Sequence, residues 1–479
     1  MEQEKELHRM GRVPVKKLMI SMGVPMVLSM MLQALYNIVD SAFVSNMKAG
    51  GEAALNALTL AFPMQMLMVA VGIGTGVGVN ALVARSLGQK NREKASRTAG
   101  NGVFLALVFY GIFLLFGLFG ARAYVASQTQ NPVVLEIAVE YLTICCVASA
   151  GILSFSIYEK LLQAAGHSLY STIAQVAGAV TNIILDPIMI YGLLGCPEMG
   201  VAGAAWATVI GQCVSWLLAL LFHKKVNKEI ASGLRYWKPS GAILKEIYAI
   251  GLPAILAQAL MSLMTYGLNL ILVTVSEAMV TAYGLYYKIQ QFLLFAAFGL
   301  RDAITPITAF GHGMKSRERV DGGIRYGLID TLLVMLAGTV LLEAFAVPLA
   351  GLFGLSGETE ALCVSAIGVI SLSFVFAGAN IAMQGVFQAL GGGLESLAVS
   401  VCRQALFVFP PALLFAAIAR TSMENAWMVW LTFPIAEVLT AGIAALLLKR
   451  IYKAKVLPLE HVPVENSVME AVEEGCGAQ

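Results

Sequence analysis

The chain has 479 residues, 58% of them hydrophobic and only 13% charged, with a formal net charge of +2. A charged share about half that of a soluble globular protein excludes a water-solvated domain, and apolar stretches of about 20 residues or more recur along the chain, each able to cross a bilayer core of roughly 30 Å as a helix. These stretches lack the strict alternation of barrel strands, and open sheets would leave unsatisfied edges in lipid, so the expectation is an all-α polytopic membrane protein.

The first fifteen residues are polar, and the apolar stretch after them is too long for a signal-peptide core and lacks a cleavage site, so it reads as a retained first helix. Spans are predicted over about 17–45, 53–83, 97–121, 133–157, 169–192, 201–223, 244–273, 278–308, 323–349, 360–389, 394–419 and 426–449, twelve in all. Basic residues gather in every second connection: Lys16 and Lys17, Arg85 to Arg97, His223 to Lys245, Lys315 to Arg325 and Lys449 to Lys455. By the positive-inside rule both termini are cytoplasmic, which requires an even number of spans. The expected location is the cell membrane.

A repeat runs through the chain. Gly88-Gln-Lys-Asn-Arg92-Glu93-Lys94 returns as Gly313-Met-Lys-Ser-Arg317-Glu318-Arg319, and Gln163-Ala-Ala-Gly166 returns at the same offset as Gln388-Ala-Leu-Gly391. Gly23-Val-Pro25 pairs with Gly251-Leu-Pro253 at a slightly larger offset, as expected if the first outer loop is a little longer. Six spans per copy place the copies in the same orientation, as two parallel six-helix repeats. The expected organisation is an amino-terminal lobe over 1–225, a cytoplasmic linker over 226–242, a carboxyl-terminal lobe over 243–455 and a disordered tail over 456–479. Transporters with paired repeats place their site between the halves and rock one against the other. No phosphate loop, His-Glu-x-x-His or His/Cys cluster occurs, so neither an enzyme nor an ATP-driven pump is expected, and no cofactor. The seven cysteines lack metal-type or redox-type spacing and read as small packing residues.

Charges at membrane depth are costly, which makes each a functional candidate. Asp40, Asn37, Tyr36 and Gln33 share one face of helix 1, and Thr172, Gln175, Asn182 and Asp186 continue the same spacing on helix 5, where Pro187 loosens the backbone. Two carboxylates with an amide and hydroxyls suit either a hard cation such as Na⁺ or a proton on a desolvated carboxyl. The alternative is that they only hydrogen-bond helices together. The repeat argues against this: Leu268, Phe407 and Pro411 stand where the first copy has Asp40, Asn182 and Asp186. Lys288 among the tyrosines of helix 8 could pair with Glu437 of helix 12, whereas Arg403, Arg301 and Asp302 read as lying nearer the cytoplasmic ends. Met31, Met64, Met261 and Tyr266 belong to a clustering of thioethers and rings in the first helices of both halves that suits varied apolar cations, and equally suits packing.

Gly23-Val-Pro25 through Leu35-Tyr36-Asn37-Ile-Val-Asp40, the Gly88 loop, Leu162-Gln163-Ala-Ala-Gly166 and Thr181-Asn182-Ile-Ile-Leu-Asp186-Pro187, with the second-half copies, resemble the multidrug and toxic compound extrusion family over all twelve helices. The resemblance implies a cation-coupled antiporter, using Na⁺ or H⁺, that exports small amphipathic molecules by alternating access as a monomer. It also implies that Asp40, Asn182 and Asp186, with Thr208 of helix 6, form an amino-terminal-lobe cation site beside a substrate cavity. That cavity would draw on Gln33, Tyr36, Asn37, Met31, Met64, Gln175, Met261, Tyr266 and Lys288. Another branch of that family carries acids in helices 7 and 10; here Met261 stands at the first position and helix 10 has no acid after Glu360. Two alternatives are a flippase for a lipid-linked precursor and a membrane-embedded enzyme or receptor. No nucleic-acid partner is expected.

Overall fold

The computed structural model describes residues 9–45, 51–352 and 357–459, apart from the side chains of 36–38, 40–42, 44, 45, 51–53, 55, 349–352 and 358. Among the described residues there is no strand. Eleven helices are long and apolar enough to cross a membrane, and the count is twelve when one bent pair forms a single span. In chain order these are α1 Val15–Ser45, α2 Gly51–Gly88, α3 Arg92–Ala126 and the bent α4, made of Pro132–Val147 and Ala150–Ala164. The first half closes with α5 Ser168–Tyr191 and α6 Gly200–Val226. The second half holds α7 Gly241–Leu272, α8 Glu277–Gly313, α9 Arg317–Leu352, α10 Thr359–Ala389, α11 Gly393–Ala419 and α12 Met423–Lys455.

Several helices run further than hydropathy predicts at the end carrying the basic loops. α2 continues to Gly88, α3 begins at Arg92, α8 continues to Gly313 and α9 begins at Arg317. The helix persists because Asn91 caps α3, its side chain accepting from the Lys94 amide at 2.9 Å, with Glu93 in the first turn. Lys90 and Lys315 occupy the same left-handed turn in the two copies, at φ 57° in both. The bend in α4 is 44°, at Ala148, whose ψ of 16° departs from the helix.

The halves meet through glycines. In Gly72-Ile-Gly74-Thr-Gly76-Val-Gly78 the glycines alternate between two faces of α2. Gly72 and Gly76 lie against Ser156 and Lys160 of α4 in the same half, whereas Gly74 and Gly78 lie against Gly251, Ile255 and Ile247 of α7 in the other. A Cβ on Gly74 would stand 2.8 Å from the Ile255 backbone nitrogen. Small residues four apart thus let α2 approach two helices, backbone to backbone. Gly299 of α8 meets Val27 of α1, Gly88 meets the Phe310 carbonyl, and Gly313 meets the Arg85 carbonyl. These approaches run toward the basic end of the bundle. Arg85 donates across the halves to the Ala389 carbonyl at 2.9 Å, and Arg319 of α9 donates to the carbonyls of Met10, Gly11 and Val13. Between α6 and α7 the chain is pinned to α3, as Ala231 N–H donates to Ser96 and Ser240 N–H to Asn101, each at 2.9 Å.

Candidate functional site

Each half contains its own cavity. The first, about 730 Å³ including its mouth, is lined by polar groups from α1, α4, α5 and α6, among them Gln33, Glu159, Lys160, Gln175, Asn182 and Thr208. Its floor is set by another glycine contact: Gly178 of α5 and Gly211 of α6 touch backbone to backbone, which brings Asn182 and Thr208 together. Asn182 Nδ2 donates to Asp186 Oδ1 at 3.2 Å and reaches Thr208 Oγ1 at 3.4 Å. Asn182 and Asp186 are buried at 3% and 0% exposure. The side-chain carbonyl oxygen of Asn182 is also buried, with no hydrogen-bond partner among the described residues. Leaving such an acceptor unpaired costs about 1–3 kcal/mol, a cost that a bound cation would remove. Pro187 has no N–H to give the carbonyl one turn earlier, so α5 is loosened where Asp186 sits.

α1 is tied to this cavity by α5. Thr172 Oγ1 donates to the Pro25 carbonyl at 2.9 Å, Ser29 Oγ donates to Gln175 Oε1, and Gln175 Nε2 donates to Gln33 Oε1 at 3.1 Å. The side chains of Tyr36, Asn37 and Asp40 lie outside the described residues, although their backbone continues α1. The expected constellation is therefore assembled in part: Gln33, Gln175, Asn182 and Thr208 line one cavity and Asp186 sits one turn beyond Asn182. Met31 and Met64 are half-buried outside that lining.

The second cavity, about 420 Å³ including its mouth, is lined by Met261, Met264, Tyr287, Gln290, Leu294, Arg403, Gln404, Phe433, Ala436 and Glu437. Its walls repeat those of the first in register. Arg403, Gln404, Phe433, Ala436 and Glu437 are the repeat equivalents of Gly178, Ala179, Thr208, Gly211 and Gln212, at the offset that relates Gly88 to Gly313. Glu437 is paired with Arg403, whose Nε donates to Glu437 Oε1, and Asn380 Nδ2 donates to Glu437 Oε2 at 2.8 Å. Lys288, the partner the sequence suggests for Glu437, is exposed, as is Tyr266, and neither lines either cavity. Arg403 lies within a cavity instead of at a helix end.

Sequence reasoning missed Lys160 and Glu159, and so the buried pair that Lys160 makes with Asp302. Lys160 of α4 donates to Asp302 Oδ2 of α8 at 2.6 Å, with side chains only 2% and 4% exposed. Arg301 donates to Asp302 Oδ1 from Nε and Nη2 at 3.1 and 2.9 Å. On the α4 side, Lys160 Nζ also donates to Gln163 Oε1 at 2.9 Å, and Gln163 Nε2 donates to Glu159 Oε1 at 3.0 Å. The signal was present as Ser156, Glu159, Lys160 and Gln163, one face at helical spacing. It was lost because the predicted span ends at 157, whereas the helix runs to Ala164. Among the described residues, no group of three or more His, Cys, Asp or Glu could hold a metal ion.

The MatE family model matches the chain twice, over residues 25–188 and 253–414. The chain is 24% identical over 414 residues to the multidrug export protein MepA of Staphylococcus aureus, covering 85% of this chain and 88% of that one. It is also 24% identical over 405 residues to MepA of Staphylococcus saprophyticus, with the same shares covered. Among solved structures, an outward-facing multidrug resistance MATE transporter of the MOP superfamily superposes with a TM-score of 0.87 at 25% identity, over 94% of this chain and 100% of that one. A MOP superfamily transporter from Pyrococcus furiosus superposes with a TM-score of 0.83 at 26% identity, over 92% and 97% of the two chains. Eleven to twelve spans among the described residues in two parallel repeats, a cavity in each and a family model matched once per half lead to one conclusion: the chain belongs to the MatE family and is a multi-pass membrane transporter, not an enzyme.

Proposed function

We propose that the protein exports small amphipathic cations from the cell by alternating access, in exchange for inward movement of Na⁺ or H⁺. The observation that carries this reading is the first-half cavity, where Asn182 and Thr208 meet with Asp186 one turn beyond, and where the Asn182 side-chain carbonyl has no hydrogen-bond partner among the described residues. Oxygen donors of this kind suit a hard cation, and a carboxylate buried at 0% exposure suits a proton equally. Asp40, two turns from Gln33 on the same face of α1, completes the set in this proposal. Phe407 and Pro411 in the second half offer no such donors, so coupling resides in the first half. The relatives named as multidrug export proteins support a broad substrate range.

In the cell membrane, the basic end faces the cytoplasm and carries both termini. The halves, residues 1–225 and 243–455, rock about the linker 226–242, and the protein works as a monomer. The glycine-mediated approaches at the basic end then represent the state closed to the cytoplasm, in keeping with the superposition on an outward-facing relative. Gln33 and Gln175 would take hydrogen-bonding groups of the substrate, while Met261 and the neighbouring rings of the second cavity would accommodate its apolar body. Coupling requires that ion and substrate bind the two states differently. Proteoliposomes loaded with a fluorescent cation and given an Na⁺ or a pH gradient test this directly. Export driven by one gradient, lost in Asp186→Asn and in Asp40→Asn, is the expected result. Gradient-driven export that survives both substitutions would overturn it, and transbilayer movement of a lipid-linked precursor without a gradient would favour a flippase.

A further inference from the structure

We propose that Lys160 is a positioning residue of the transport cycle that exchanges its carboxylate partner, from Asp302 in the second half to Glu159 in its own half, when the halves separate at the basic end. The proposal rests on the alternating-access reading above.

Lys160 occupies a singular position. It lines the first cavity and also reaches across to α8, forming the one buried ion pair between the two halves among the described residues. Opening the basic end must pull Lys160 away from Asp302. Removing one member of a buried pair is strongly unfavourable when it leaves an uncompensated charge behind. Here neither charge is abandoned. Asp302 keeps Arg301, which already donates to its other oxygen from two nitrogens. Lys160 has Glu159 next to it in α4, joined to it through Gln163, which is hydrogen-bonded to both and able to hand the ammonium from one carboxylate to the other. The four charges sum to zero, and so does each half's share.

The repeat explains why this arrangement exists once. The second-copy equivalents of Glu159, Lys160 and Gln163 are Gln384, Gly385 and Gln388, and the first-copy equivalents of Arg301 and Asp302 are Gly76 and Val77. Lys160 lies against Gly76, and Gly385 in turn lies against Arg301. Each long cation therefore faces a glycine at the position equivalent to the other cation. The two sets fit together as one device spanning the halves, not as two copies of a packing motif. Because Lys160 and Glu159 both line the cavity, its occupant acts on the same charges that hold the closure.

Two nearly isosteric substitutions test the exchange, each leaving Lys160 in place. The reporter is Ile250→Cys, buried where α7 meets Val77 and Ala81 of α2, in a full-length chain whose native cysteines are replaced. Its labelling by a membrane-impermeant maleimide is followed in inside-out vesicles. Asp302→Asn leaves Lys160 only its own-half partner and raises the labelling rate, by about five-fold or more. Glu159→Gln leaves only the cross-half partner and lowers it by a similar factor. A merely structural role for either carboxylate predicts loosening, and so faster labelling, in both variants. Shifts in the same direction, or none in either, overturn the proposal. Should Asp302→Asn fail to give monodisperse protein, the sign of the Glu159→Gln shift decides alone. If instead the unsubstituted reporter is never labelled from the basic side, even with substrate present, alternating access itself fails.

Discussion

At the scale of single residues, the two cavities differ in how they neutralise charge, and that difference is measurable. Glu437 is held by Arg403 and Asn380, so Glu437→Gln leaves a buried guanidinium uncompensated. Breaking a buried pair from one side costs about 3–5 kcal/mol, whereas replacing both members with apolar side chains is often neutral. Glu437→Gln is therefore expected to lower the melting temperature in detergent sharply, and the double variant Arg403→Met/Glu437→Leu to recover most of the loss. Asn182→Ala probes the other cavity. It removes an acceptor with no partner among the described residues as well as the donor to Asp186, so stability should change little while, under the proposed coupling, the Na⁺ or proton dependence of export weakens, read as a shift in the ion concentration giving half-maximal export. Much of this chemistry was legible in the sequence. Asn182 and Asp186 are four apart on one helix, and their apolar counterparts in the second copy marked them out. Lys160 and Asp302 were not legible as a pair, because they lie in different halves of the sequence and only the packing of α4 on α8 brings them together.

At the scale of elements, α1 is the helix best placed to report ion binding in the proposed cycle. Its middle is tied to α5 by Thr172 on the Pro25 carbonyl and by Gln175 on Ser29 and Gln33. Pro25 itself withholds one helical hydrogen bond, so α1 can bend there at reduced cost. Thr172→Val keeps the shape and deletes the tie, which is worth about 0.5–1.5 kcal/mol. The expected outcome is a roughly two- to ten-fold change in the maximal export rate with ion affinity nearly unchanged, measured in proteoliposomes over a range of ion concentrations. An equal loss of affinity would mean that Thr172 shapes the ion site directly. Hydropathy located every span but misjudged their ends, and the reason is physical. The lipid stops where charged residues begin, but α2, α3, α8 and α9 remain helical through Arg85, Arg92, His312 and Arg317, because capping and packing against the other half continue beyond the apolar layer.

At the scale of the whole molecule, the closure between the halves depends on what α2 lacks. Gly78 faces the Ile247 carbonyl of α7 so closely that even one added carbon must displace backbone. Backbone cannot rotate away as a side chain can, so Gly78→Ala should cost about 1–3 kcal/mol in the closed arrangement. If the halves stayed together throughout the cycle, that cost would appear as lost stability alone. If they separate, the substitution penalises only the state in which α2 and α7 touch and shifts the population by roughly 5- to 150-fold toward the other. Hydrogen exchange distinguishes the two cases. Population shift predicts faster exchange confined to the facing stretches of α2 and α7 around Gly78 and Ile247, with the remaining helices of each half protected as before. General destabilisation predicts faster exchange throughout. Gly72→Ala is the internal control, because its added carbon meets Ser156 and Leu153 of the same half and should leave the balance between the two states untouched.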